Sequence, residues 1–154
     1  TSTSGLIGNI GQSNYSSAKM ALVGLSNSIA LDMGRYGVRS NCVSPFAWSR
    51  MTDSIETRSE EDRERVKQLQ SMTPDKVAPM VAFLCSDPAA EVTGEVFCVR
   101  KNEILLFSQM RPVRSIHRDN GWTPESIFNE LLPALKPSLH PLQVSTDVFG
   151  WDPV

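Results

Sequence analysis

The stretch NYSSAKMALVGLSNSIALDMGRYGVRSNCVSP (residues 14–45) decides how this chain is read. Tyr15, Ala18, Leu22, Leu25, Ile29 and Met33 recur at steps of three and four, which places them on one face of a helix from Asn14 to about Tyr36. Gly37 follows as a natural carboxyl-terminal stop. Val38 to Ser44 then reads as a short strand, ended by Pro45.

Upstream, residues 1–13 are rich in Ser, Thr and Gly and read as a loop. Downstream, residues 53–72 carry dense charge of both signs, the usual mark of a solvated helix or loop. Thr73-Pro74-Asp75 has the chemistry of a helix start: a cap, a proline at the first position, an acid near the positive end. Val77, Met80, Val81 and Leu84 give that helix a buried stripe, and Pro79 within it predicts a late start or a kink. Val96–Val99 and 104–107 are strand-like runs around the polar turn 100–103.

From Ser108 the composition shifts, with six of the ten prolines in residues 108–154. One short helix is expected there, capped by Thr123, opened by Pro124 and running to about Leu132. Residues 1–107 and the Pro-rich extension 108–154 are thus read as separate parts. Helices alternating with short apolar strands predict an α/β fold with a parallel sheet. Two or three strands are too few for a complete sheet, and the chain starts at Thr1 rather than Met. The expectation is the carboxy-terminal part of a Rossmann-like doubly wound sheet, its amino-terminal half missing.

Composition narrows the function classes. The net charge is −2 without a basic stripe, which argues against nucleic acid as a partner. No apolar run approaches the roughly 20 residues a membrane helix needs. Cys42, Cys85 and Cys98 are an odd number, far apart, and read as reduced thiols. With two histidines and no close Cys or His pairs, no metal site is expected. A cytoplasmic setting is expected, because Asp152-Pro153-Val154 is no peroxisomal signal of the S-K-L type.

The chemistry concentrates at Tyr15 and Lys19, four apart and so on one helix face. A free tyrosine titrates near pKa ~10, a poor acid or base at neutral pH. A neighbouring ammonium stabilises the phenolate, and the pair can then exchange a proton with an alcohol or carbonyl oxygen. Ser2 and Ser4 are candidates to hold that oxygen. Spacing alone also fits an ordinary surface Tyr–Lys pair.

The ordered set Ser2…Tyr15…Lys19, N-Y-S-S-A-K (14–19), G-V-R-S-N-C-V-S-P (37–45) and V-T-G-E-V-F (92–97) resembles the short-chain dehydrogenase/reductase family over about residues 1–99. Within it, G-N-I-G-Q-S-N-Y-S-S-A-K, S-P-F-A-W-S-R-M-T and K-V-A-P-M-V-A-F-L-C are most similar to the (3R)-hydroxyacyl-CoA dehydrogenase domains of peroxisomal multifunctional enzymes of type 2 and to related bacterial dehydrogenases. The resemblance implies a hydride-transferring oxidoreductase that uses NAD or NADP on a small-molecule secondary alcohol or ketone, a 3-hydroxyacyl-CoA being the first candidate. It makes Tyr15 the general acid/base, Lys19 its partner and a ligand of the nicotinamide ribose, and Ser2 the residue that polarises the carbonyl. It places Pro45, Phe46, Ala47 and Ser49 along the nicotinamide. Most of the family has Pro-Gly where this chain has Pro45-Phe46, and Ser49 takes the place of the usual Thr.

Gly5, Gly8 and Gly11 lie between the serine and the tyrosine, and read as shaping the loop rather than holding phosphate. Arg111, Arg114, His117 and Arg118 form a basic cluster that reads as a solvated loop, with a substrate phosphate as its alternative ligand. Ala21, Gly24 and Ser28 are small residues beside the main stripe of the helix 14–36. The resemblance implies that this helix packs across a subunit interface, in a homo-oligomer. A reading of another class remains: a non-catalytic remnant or interaction subunit without a complete cofactor site.

Overall fold

In the computed structural model, which describes residues 1–48 and 59–153, the stretch 14–45 forms the helix and the strand with shifted ends. A single turn α1 (Thr3–Leu6) precedes helix α2 (Ser13–Met33), which tightens into a 3₁₀ turn at Gly34–Tyr36. Gly37, at φ 73°, takes the left-handed conformation that closes the turn, as the sequence predicts.

Strand β1 runs Cys42–Phe46, four residues later than the reading from Val38. The hydrogen bonds of Arg39, Ser40 and Asn41 explain the shift. Arg39 donates to the carbonyls of Leu84 (2.6 Å) and Ser86 (3.2 Å), at the end of helix α4 (Ala78–Leu84). Ser40 accepts from the Gly94 N–H (2.7 Å), while the Asn41 side chain donates to the Val92 carbonyl (2.8 Å) and accepts from the Glu95 N–H (3.0 Å). These groups tie the chain to the loop 92–95, so ladder pairing starts only at Cys42. Pro45 lies inside β1 rather than ending it, paired with Val99. Among the described residues β1 has a neighbour on one side only, so the missing proline N–H breaks no ladder bond there.

β1 pairs in parallel with β2 (Val96–Arg100), and β2 in antiparallel with β3 (Glu103–Leu106), giving the order β1-β2-β3. Lys101, at φ 58°, makes the tight turn between the last two. A parallel pair needs a crossover. Here it includes α3 (Glu60–Gln70) and α4. Residues 53–58 of the charged run lie outside the described residues, and most of the rest forms the solvated helix α3, started by reciprocal hydrogen bonds between Ser59 and Asp62. Thr73-Pro74 opens a 3₁₀ turn, Pro74–Lys76, and α4 starts two residues later with Pro79 in its first turn. Of its expected stripe Met80 is buried, but Val81 is 45% exposed.

Helix α2 turns its less apolar face to the sheet. Val23 and Ser26 are buried, Ser26 sharing a 2.8 Å hydroxyl contact with Ser40. The Cys42 thiol donates to the Leu22 carbonyl (3.7 Å). The periodic stripe is left outside: Tyr15, Leu22, Leu25 and Met33 are exposed, Leu25 by 57%.

Residues 1–108 and 143–154 form one compact unit and residues 109–142 another. In the second, Thr123 caps α5 (Pro124–Ser126), which continues through a π-helical stretch Ile127–Leu131 into α6 (Leu132–Leu135) and a 3₁₀ turn at Lys136–Ser138. In the first unit, the last residues add α7 (Ser145–Val148).

The centre of the sheet is Ser44, Cys98 and Val99, all essentially buried. Burial pushes the Cys98 thiol up from its ordinary 9.0 to about 12. The fold therefore holds the neutral thiol. This contribution to stability is complete below pH 9.0 and is lost as pH rises toward about 12, because only the unfolded chain ionises in between. A labelling experiment checks the burial: iodoacetamide should modify exposed Cys85 quickly, and Cys42 and Cys98 only as fast as the chain opens. Fast modification of Cys98 in the folded protein would contradict this packing.

Candidate active site

Tyr15 and Lys19 stand on the first turns of α2, as their spacing predicts. The Lys19 ammonium lies 5.4 Å from the centroid of the Tyr15 ring. Tyr15 is 45% exposed and Lys19 is half-buried, so the phenol can be reached from solvent.

The segment bearing Ser2 is held by three contacts, two to this part of α2 and one to β1. The Thr1 hydroxyl donates to the Lys19 carbonyl (2.6 Å), and the Thr1 nitrogen donates to the Val43 carbonyl of β1 (2.9 Å). Gly5 then brings α1 directly onto α2. A Cβ at Gly5 would lie 2.8 Å from the Met20 nitrogen, closer than real Cβ atoms approach, and 3.0 Å from the Lys19 carbonyl carbon, tighter than most real contacts. Ser2 caps α1, its hydroxyl accepting from the Ser4 N–H (3.3 Å), while Ser4 itself is buried. Gly8 and Gly11, at φ 124° and 74°, have backbone conformations that side chains rarely adopt. All three glycines thus have a steric reason to be where they are.

Pro45, Phe46 and Ala47 lie at the carboxyl end of β1, with Pro45 exposed and the other two half-buried. In doubly wound sheets this is the edge at which ligands are received. Ser49 lies outside the described residues. Trp48 donates its N–H to the Met72 carbonyl (2.6 Å), fixing where the chain leaves the strand.

The sequence reading missed what holds Phe46. Its ring meets Phe149 edge-on, at 5.2 Å between centroids and 75° between planes. Phe149 also touches Trp151 (5.6 Å). The Arg100 guanidinium sits among the three rings, 5.9 Å from Phe46, 5.8 Å from Phe149 and 5.4 Å from Trp151. Arg100 is only 7% exposed, pairs with Glu103 at 3.3 Å and donates to the Trp151 carbonyl. Trp151 donates its indole N–H to Glu103 (2.7 Å). Arg100 reads in the sequence as part of a polar turn, and its aromatic partners lie about fifty residues away, so local pattern carried no signal for it.

In the second unit three of the four members of the basic cluster have local partners. His117 contacts Asp119 at 3.1 Å, Arg118 pairs with Glu130 at 3.6 Å, and Arg111 donates to the Met110 carbonyl (2.8 Å). This is how a solvated loop behaves.

The family model described as enoyl-(acyl carrier protein) reductase matches residues 1–101. The hydroxyacyl-CoA dehydrogenase ChsB1 of Mycobacterium tuberculosis is 34% identical over 128 residues, covering 82% of this chain and 40% of the relative. The peroxisomal multifunctional enzyme A of Dictyostelium discoideum is 41% identical over 127 residues, 82% of this chain and 26% of that protein. Among solved structures, a short chain dehydrogenase from Mycobacterium avium superposes with a TM-score of 0.72 at 32% identity, over 92% of this chain and 45% of that one. The chain thus spans less than half the length of the relatives it matches. Its mixed sheet corresponds to the carboxy-terminal part of their fold.

Proposed function

The chain belongs to the short-chain dehydrogenase/reductase family, and from that premise we propose that it carries the proton-transfer side of a nicotinamide-dependent oxidoreductase acting on a secondary alcohol or ketone. The observation that carries this reading is the exposed Tyr15 phenol with the Lys19 ammonium 5.4 Å from its ring, beside the anchored segment of Ser2. Tyr15 gives or takes the proton at the substrate oxygen. Lys19 supplies the neighbouring cation on the same helix face, and Ser2 donates to the same oxygen, so that charge developing there meets a fixed dipole.

The side chains fit the riboside end of a nicotinamide dinucleotide. An ammonium and a phenol one helical turn apart offer donors to a ribose diol, and Pro45 to Ala47 lie at the carboxyl end of β1, where such sheets receive ligands. The sequence contains no G-x-G-x-x-G, so this chain does not itself supply the usual cradle for the pyrophosphate. When bound, the cofactor would accept or give the hydride.

Hydroxyacyl-CoA dehydrogenases among the relatives support a 3-hydroxyacyl-CoA thioester as substrate. The test is turnover by the complete protein with NAD or NADP and a panel of 3-hydroxyacyl-CoAs, free hydroxy acids and simple secondary alcohols. Formation of reduced nicotinamide with the thioesters is expected, and none with any alcohol would refute the reading. A cytoplasmic setting belongs to the same proposal, supported by Cys42 and Cys98 being buried as free thiols.

The exposed stripe of α2 supports a homo-oligomer built through this helix. Leu22, Leu25 and Met33 form an apolar face that the chain leaves uncovered. Leu25→Lys should convert the assembly to the mass of a single chain in light scattering, with its circular dichroism unchanged. An unaltered mass would place the interface elsewhere.

A further inference from the structure

We propose that Arg100 is a positioning residue, which works with Phe149 and Trp151 as a clamp that seats Phe46 and so fixes the backbone of residues 45–47 at the cofactor edge. The inference rests on the reading that these residues face the nicotinamide. Phe46 is the last residue of β1, and Arg100, its register partner, is the last residue of β2. Both side chains stand at the carboxyl ends of parallel strands, the edge where such sheets take ligands.

The Phe46 ring has a packing partner outside the strand pair. The partner comes from the end of the chain: Phe149 lies edge-on to Phe46 at 5.2 Å. The carboxyl-terminal segment is in turn held by the strand hairpin. Arg100 donates to the Trp151 carbonyl, Glu103 accepts from the Trp151 indole (2.7 Å), and Lys101 donates to the Pro153 carbonyl (3.2 Å). The Ser145 hydroxyl joins the same segment to the Gly8 carbonyl (3.5 Å), in the loop between Ser2 and Tyr15. One short segment therefore ties together the strand end and the loop before the catalytic helix.

The burial of Arg100 argues that the cluster is specific. A guanidinium 7% exposed is costly to desolvate unless its charge is met, and here it is met by a carboxylate, a carbonyl and three ring faces. A strand end that needed only an apolar plug would not use a buried arginine. Beside the cluster lies a cavity of about 280 Å³, bounded by Phe46, Met72 and Phe149, so Phe46 has room to move once its clamp is removed.

The experiment compares Phe149→Leu, which keeps apolar bulk and loses the ring, with Phe149→Tyr, which keeps the ring. In the complete protein Phe149→Leu should raise KM for the nicotinamide dinucleotide about tenfold while kcat changes by less than about threefold. Inhibition by ADP-ribose, which lacks the nicotinamide, should be unchanged. Phe149→Tyr should behave as the native protein. Unchanged cofactor KM in Phe149→Leu, or equal weakening of ADP-ribose, overturns the proposal, since a loss of general stability would not single out the nicotinamide end. Should Phe149→Leu fail to fold, Trp151→Leu, at a position 45% exposed, carries the same expectations. Tyr15→Phe is measured alongside. Retained turnover there removes the catalytic reading and this inference together, whereas lost turnover with unchanged KM in Phe149→Leu removes this inference alone.

Discussion

Tyr15→Phe is expected to lower kcat by about 10²–10⁴-fold, the usual worth of a positioned general acid or base. The substitution removes one oxygen and keeps the ring. The contact with the Lys19 ammonium at 5.4 Å is to the ring, and phenylalanine retains the face that makes it. Tyr15 is also 45% exposed, so its hydroxyl holds no buried network together and the melting temperature should stay within a degree or two of the native value. Cofactor affinity should fall only slightly, because Lys19 and the strand end remain. A variant that folds, binds cofactor and does not turn over is the expected result. If Tyr15→Phe kept more than a tenth of the native kcat, its phenol would not be the proton donor.

Gly5→Ala should be the most damaging small substitution for stability, by about 1–3 kcal/mol. Two effects compete. Alanine favours a helix over glycine by up to about 1 kcal/mol per residue. Against it, the new Cβ would meet the Met20 nitrogen at 2.8 Å and the Lys19 carbonyl carbon at 3.0 Å. Those are main-chain atoms of a long helix and cannot swing away, so α1 must move as a body. In a helix of one turn the propensity gain is small, and the overlap wins. Urea denaturation should show a lower midpoint with an unchanged slope. Activity should fall as well, since α1 begins at the Ser2 cap. A variant as stable as the native protein would show that α1 does not lie against α2 in this way.

Some of this was legible in the residues. Glycine and proline chemistry marked Gly37, which closes the 3₁₀ turn after α2, and the late start of α4 after Thr73-Pro74. The Tyr15–Lys19 spacing placed both on one face of a helix, and the helix is there. The stripe through Leu22 and Leu25 was equally legible as a face, but not the side on which it would lie. Helix α2 approaches the sheet through Val23 and Ser26, and leaves the more apolar face exposed. Periodicity reports that a face exists, and the available neighbours decide what covers it.

The start of β1 was misread for a related reason. Val38 to Asn41 has strand-like composition, but Arg39 is drawn to the end of α4 and Asn41 to the loop 92–95. Those partners lie 45 and more residues away, beyond any local pattern. The clamp of Arg100, Phe149 and Trp151 was invisible on the same grounds. An arginine after four strand residues looks like the beginning of a turn, and only the return of the chain makes it a buried charge.

Proposed for this chain is that Tyr15 handles the proton while hydride passes between a secondary alcohol and nicotinamide. The most direct measurement gives the complete protein a 3-hydroxyacyl-CoA deuterated at C3 and follows the label by mass spectrometry. Deuterium should enter the reduced nicotinamide with the native protein, and do so about 10²–10⁴-fold more slowly with Tyr15→Phe. Deuterium that stays on the thioester in the native protein, or moves equally well in Tyr15→Phe, would contradict the proposal.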